Sequence, residues 1–90
     1  MTALYCYMVS FYNYSDSEFY PIFHEKKYTK KEFQEICNKI FKEIRENENR
    51  KWTWAYPSEF IRIAKKYGFK DIDVLEVDTI DGKVKTYGEY

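Results

Sequence analysis

Residues 29–46 can form little other than an amphipathic helix, and that helix dictates what the rest of the chain must supply. Thr29 and Glu32 stand in a T-x-x-E capping box, in which each side chain satisfies the other's orphan backbone N–H. Tyr28 before the cap and Phe33 at the fourth helical position fit a hydrophobic staple. Phe33, Ile36, Cys37, Ile40, Phe41 and Ile44 then recur at spacings of three and four, which gathers them into one apolar stripe. Lys31, Glu35, Lys39, Lys42, Glu43 and Glu46 fill the opposite face. Glu35–Lys39 is the favourable order for a pair four residues apart, and Lys39–Glu43 adds a weaker one. The helix should fade at residues 47–50, N-E-N-R. Such a helix cannot cover its own stripe, so other elements must do so.

Residues 3–14 have strand composition, with apolar side chains on both faces: Tyr5, Tyr7, Val9 and Phe11 on one, Leu4, Cys6, Met8 and Tyr12 on the other. A strand of this kind is expected inside a sheet, or covered on its second face by another layer or a subunit. Residues 13–17, N-Y-S-D-S, read as a turn, and residues 19–24 as the returning strand. Pro21 cannot donate a ladder bond, which places that strand at an edge with its N–H side outward or bulged. A second, shorter helix starts at Pro57, with Glu59 in its first turn and Phe60, Ile61, Ala64 and Tyr67 as its inner face; Ile63 lies to one side. Gly68 suits a left-handed C-cap, and Phe69 then folds back onto Ala64. Asp81-Gly82 signals a type I′ hairpin that pairs Ile80 with Lys83, Thr79 with Val84, Asp78 with Lys85 and Val77 with Thr86. The Leu75–Val77–Val84 face should meet the helices, and the face with Asp78, Lys85, Glu76 and Tyr87 should meet solvent.

The order is therefore β-β-α-α-β-β. The expected fold is α+β: one small domain over residues 1–90, an antiparallel four-stranded sheet with both helices packed on one face. Ninety residues support one small core. No apolar run approaches membrane-spanning length, and Met1 is not followed by a basic-then-apolar leader, so the expected location is the cytoplasm, with no membrane partner. Cys6 and Cys37 are expected as buried free thiols; neither has a basic neighbour to make it reactive, and a metal site would find only His24 besides. The expected cofactors and metals are none.

Net charge is zero, which gives no overall field for nucleic acid or membrane. Its distribution is uneven: residues 25–70 are basic in excess, while residues 1–24 and 71–90 are acidic. That layout gives internal charge complementarity, or a bipolar surface that docks on an asymmetric partner or on a second copy.

Function must come from what the core leaves over. Ten tyrosines, seven phenylalanines and two tryptophans are more than one small core needs. The segment Arg50, Lys51, Trp52, Thr53, Trp54, Ala55, Tyr56 sets two bases beside three large aromatics at alternating positions, between the helices. Two readings stand. The aromatics close the bottom of the core, or Arg50, Lys51, Trp52, Trp54 and Tyr56 form a partner-binding surface, Trp, Tyr and Arg being the commonest interface anchors. Aromatics among bases also stack and hold single-stranded nucleic acid or a nucleotide, and Lys39, Lys42, Arg62 and Lys66 would supply the phosphate contacts. The first-strand tyrosines invite comparison with sheet-surface RNA binders, but the glycine-containing motifs of those folds are absent. His24 can be drawn with Glu18 or Glu25 as an acid–base pair; no nucleophile at motif spacing accompanies it, and the expectation is a protein that is not an enzyme. Asp71, Asp73, Asp78 and Asp81 lack the pattern of a calcium loop. The chain is thus expected to be a non-catalytic interaction module with a protein partner, and a homodimer through the Pro21 edge or the sheet face. The Lys/Glu/Ile/Tyr bias is common in proteins of AT-rich genomes, small phage proteins among them. An inhibitor of a host defence or nucleic-acid-processing complex, in the manner of an anti-CRISPR protein, is one form this reading takes.

Overall fold

The computed structural model describes residues 3–12, 17–49, 51–52 and 54–87. Its elements follow the expected order: β1 (Tyr5–Tyr12), β2 (Ser17–His24), α1 (Lys30–Glu48), α2 (Pro57–Ala64), a 3-10 turn (Lys65–Tyr67), β3 (Leu75–Val77) and β4 (Val84–Thr86). The α+β class holds. The single four-stranded sheet is not what forms: among the described residues the strands make two separate antiparallel pairs, β1–β2 and β3–β4. The turn expected at residues 13–17 lies mostly outside the described residues.

The α1 N-terminus forms as its sequence dictates. The Thr29 N–H donates to Glu32 Oε1 at 2.9 Å, and the Glu32 N–H to Thr29 Oγ1 at 3.2 Å. Those bonds from Thr29, backbone first, hold the Glu32 carboxyl below its ordinary range. The Tyr28 and Phe33 rings both meet Tyr7 and Phe69, with Phe33 stacked on Tyr7 at 4.7 Å between centroids. The helix ends at Asn49, whose left-handed φ of 52° turns the chain away.

In β1–β2, Tyr7 pairs with Ile22 and Val9 with Tyr20, and partners share a face. That inner face meets the helices through Tyr7, Val9 and the fully buried Ile22, joined by Ile40, Ile44, Phe60, Ile63, Ala64 and Phe69. The outer face carries Cys6, Met8 and Tyr12 into solvent. Cys6 is therefore exposed, against expectation, because strand alternation turns it away from the helices. Cys37 is half-buried on the apolar stripe, and burial pushes its thiol up to about 11. The thiolate is the reactive form. Iodoacetamide at about pH 8 should modify Cys6 at least tenfold faster than Cys37, as read by peptide mass spectrometry. Equal rates would contradict the burial of Cys37.

The second helix begins at Pro57, with the Tyr56 N–H donating to Glu59 Oε1 at 3.1 Å. Its buried face is Pro57, Phe60, Ile63 and Ala64. Ile63 replaces Ile61 and Tyr67 as the innermost position. The tightening into a 3-10 turn at Lys65 rotates Tyr67 off the α-helical stripe. Gly68 caps with φ +89°; its N–H donates to Lys65 O at 3.2 Å and the Phe69 N–H to Ala64 O at 3.3 Å. Those two bonds form the expected Schellman ending and bury Phe69.

The tail hairpin departs from expectation twice. Its register is Leu75–Thr86, Glu76–Lys85 and Val77–Val84, shifted by two residues. A type I′ turn needs positive φ at both central residues, and Asn49 is the one non-glycine with positive φ among the described residues, so Asp81 does not adopt it. Residues 79–82 form a longer loop instead. The Ile80 N–H is bonded by Asp78 Oδ1 and the Lys83 N–H by Asp81 Oδ1, both at 2.8 Å, with Gly82 at φ +73°. A shift of two preserves the faces, so Val77 and Val84 still share one. That face does not meet the helices: Leu75, Val77 and Val84 are 73%, 57% and 62% exposed. The hairpin is tied to the first sheet through Phe23 and Lys70, which exchange backbone bonds of 2.9 and 2.7 Å on the side of β2 away from β1.

Candidate aromatic interaction surface

The linker between the helices is fixed at both ends, by the left-handed Asn49 and by Pro57, which opens α2. Tyr56 is extended (φ −71°, ψ 148°), and Ala55 packs against the core. In extended backbone, neighbours of an inward residue point outward. Trp54 and Tyr56 accordingly turn to the surface, and Trp52 falls in line with them.

The rings form a ladder. Trp52 and Trp54 lie 6.0 Å apart at 29°, and Trp54 meets Tyr56 edge-on at 5.0 Å. Phe11 of β1 supports both, 6.3 Å from Trp54 and 5.8 Å from Tyr56. Trp52, Trp54 and Tyr56 are 47%, 48% and 52% exposed. They flank the core rather than close it. They meet one another and Phe11, and each residue stays about half exposed.

The basic residues divide. Lys51 is exposed beside Trp52, and Arg50 lies outside the described residues. Arg62 lines a shallow pocket of about 470 Å³ with Tyr56, Tyr20, Lys65, Glu18 and Asp71. Its two bases face two carboxylates, so the pocket is mixed in sign. Lys66 is held by Glu43 at 2.8 Å and Lys42 lies 4.0 Å from Glu46. Lys39 stands on the solvent face of α1. Lys42 and Lys66 thus each stand beside a carboxylate, and Arg62 lines the same pocket as Tyr56.

His24 is engaged in structure. The Lys26 N–H donates to its Nδ1 at 2.9 Å, so the ring proton sits on Nε2, which donates to Tyr67 O at 3.0 Å. The Tyr28 hydroxyl lies 3.3 Å from the same nitrogen. Glu25 pairs with Lys70 at 3.2 Å instead of with His24, and Glu18 lies in the Arg62 pocket. The drawn acid–base pair is not assembled. Among the described residues no three of His, Cys, Asp and Glu gather as a metal site, and no helix is long and apolar enough to cross a membrane.

Phe11 and Tyr20 belong to this surface and were not singled out from sequence. Phe11 could have been found, since alternation places it on the face of Tyr7 and Val9, at the strand end beyond the core. The contribution of Tyr20 depends on how α2 sits over the sheet, which no local pattern encodes. No family model, curated protein or solved structure matches this chain.

Proposed function

We propose that this chain is a non-catalytic interaction module that binds a protein partner through Arg50, Lys51, Trp52, Trp54 and Tyr56, with Arg62 beside Tyr56. One observation carries the reading: three adjacent large aromatics stand half-exposed in an ordered ladder, where the core gains only part of their area. Exposed apolar clusters of this kind mark binding surfaces, and Trp, Tyr and Arg are the residues that dominate them. The mixed charge around Tyr56 suits a protein surface better than a polyanion. An inhibitor that occupies a host defence or nucleic-acid-processing complex, in the anti-CRISPR manner, is a concrete form of this activity.

A second reading is supported by the near-parallel Trp52 and Trp54 rings, a geometry on which bases of a single strand stack. The two readings separate in one experiment. Wild type and W52A/W54A are immobilised and exposed to extract of the cell that carries the gene, with retained protein and nucleic acid both identified over a salt series. The expected result is a protein retained by wild type, reduced at least about tenfold by the double substitution, hot-spot losses being of that size or larger. Retained oligonucleotide, lost steeply as salt rises, supports the second reading. Identical capture by both proteins overturns the assignment of the surface.

A further inference from the structure

The first sheet has an open edge, and the second has an open face. Phe23 spends its N–H and C=O on Lys70, away from β1. Bonding direction alternates along a strand, so Tyr20, Ile22 and His24 point at β1, and their partners Val9, Tyr7 and Tyr5 point back. Cys6, Met8, Ser10 and Tyr12 then aim their backbone groups at the other edge, where β1 has no strand neighbour among the described residues. Natural edges are guarded by charge, proline or a bulge. Across Tyr5–Tyr12 there is no charged residue and no proline. The far edge of β2 is guarded, since Pro21 falls on the same outward phase as Phe23 and Lys70 covers the position beside it.

Beside that open edge runs a groove of about 240 Å³ between Met8–Val9–Ser10 and the Phe33, Cys37 and Phe41 side of α1. The apolar stripe of α1 thus continues past the last strand of its own sheet. The β3–β4 hairpin has the complementary deficit. An isolated two-stranded hairpin is marginal in water without a third strand or a layer to pack on. Its Leu75, Val77 and Val84 face has neither, by the exposures given above. Its three-residue strands match the three-residue stretch of β1 that lines the groove. The chain reaches the hairpin from Lys70, which is bonded on the β2 side, away from the open edge of β1. Charge agrees: residues 71–87 carry five carboxylates against two lysines, while Lys30 and Arg45 stand one turn before Gln34 and one turn after Phe41 on the groove side of α1.

We propose that the open edge of β1 takes the β3–β4 hairpin of a second copy of this chain, with Leu75, Val77 and Val84 packed under Phe33, Cys37 and Phe41. Reciprocal exchange closes the contact as a dimer. Each half then holds a four-stranded sheet beneath the helices, two strands from each copy. The interface borders the aromatic ladder, since Ser10 and Phe41 also line a second hollow with Trp54.

The test is light-scattering mass of the full chain across roughly 1 µM to 1 mM, the span in which a weak or moderate Kd is seen. Met8→Pro removes an outward N–H that the β1–β2 ladder does not use. V77K/V84K sets two cations against the Lys30–Arg45 flank, on a hairpin face already exposed. Wild type is expected at twice the chain mass at the upper concentrations. Each variant should raise the dissociation constant at least about tenfold, the scale of a lost interface anchor, with an unchanged far-UV circular dichroism spectrum. A wild-type monomer throughout, or a dimer indifferent to V77K/V84K, overturns the proposal.

Discussion

Gly68→Ala is expected to destabilise the protein by about 2–4 kcal/mol, from positive-φ strain of about 1–2 kcal/mol and a clash with lost hydrogen bonds for the rest. Gly68 sits at φ +89°, and a Cβ built there falls 2.8 Å from His24 Nε2. The imidazole has little room to yield, because Lys26 N–H holds one nitrogen and Tyr67 O the other. The helix ending, the β2 terminus and Phe69 all meet at this point. For a domain of this size such a loss lowers the melting temperature by roughly 10–20 °C. Gly82→Ala is the control: its φ is +73°, but nothing lies within 4 Å of the added methyl. It should cost only about 1–2 kcal/mol of conformational strain. Equal melting temperatures for the two variants would contradict the His24 contact.

Ile63→Ala should cost about 2–5 kcal/mol, the range for truncating a fully buried aliphatic side chain. Ile63 is completely buried, in a core of only seven buried residues and Pro57 among those described. A small domain has little margin, since total stability is of the order of 0.1 kcal/mol per residue. Ile61→Ala, on the same helix but only half-buried and facing the Arg62 pocket, should cost clearly less. Urea titration of the two variants reads the difference. A larger loss at Ile61 would mean that α2 is rotated from the orientation described.

That contrast also shows what the sequence could and could not convey. Spacing put Ile61 on the inner face and Ile63 to one side, and the packed helix reverses the two, with Ile63 buried and Ile61 half-exposed. Signals that act within a few residues were legible: the Thr29–Glu32 box, Pro57 at the helix start, Gly68 with Phe69 at its end. The Asp81-Gly82 turn was legible as a turn but not in type, because two Asx bonds from Asp78 and Asp81 compete with the tighter hairpin. Pairing between distant strands was not legible. The doubly apolar β1 reads as a strand inside a sheet, yet among the described residues it pairs with β2 alone, because its partners depend on distant parts of the chain. The aromatic segment was legible as an unusual cluster. Whether it closed the core or faced solvent depended on where Ala55 and Phe11 lie, and that depends on the whole packing.

The central claim is that Trp52 and Trp54 serve a surface rather than the core, and equilibrium unfolding of W52A/W54A in urea tests it most directly. Removing two half-exposed rings should leave a cooperative transition with a loss of no more than about 2 kcal/mol, well under the 3–5 kcal/mol typical of a single buried Trp→Ala. Partner capture should be abolished in the same preparation. A protein that is unfolded without denaturant, or that loses cooperativity, would show the two rings to be core and contradict the account.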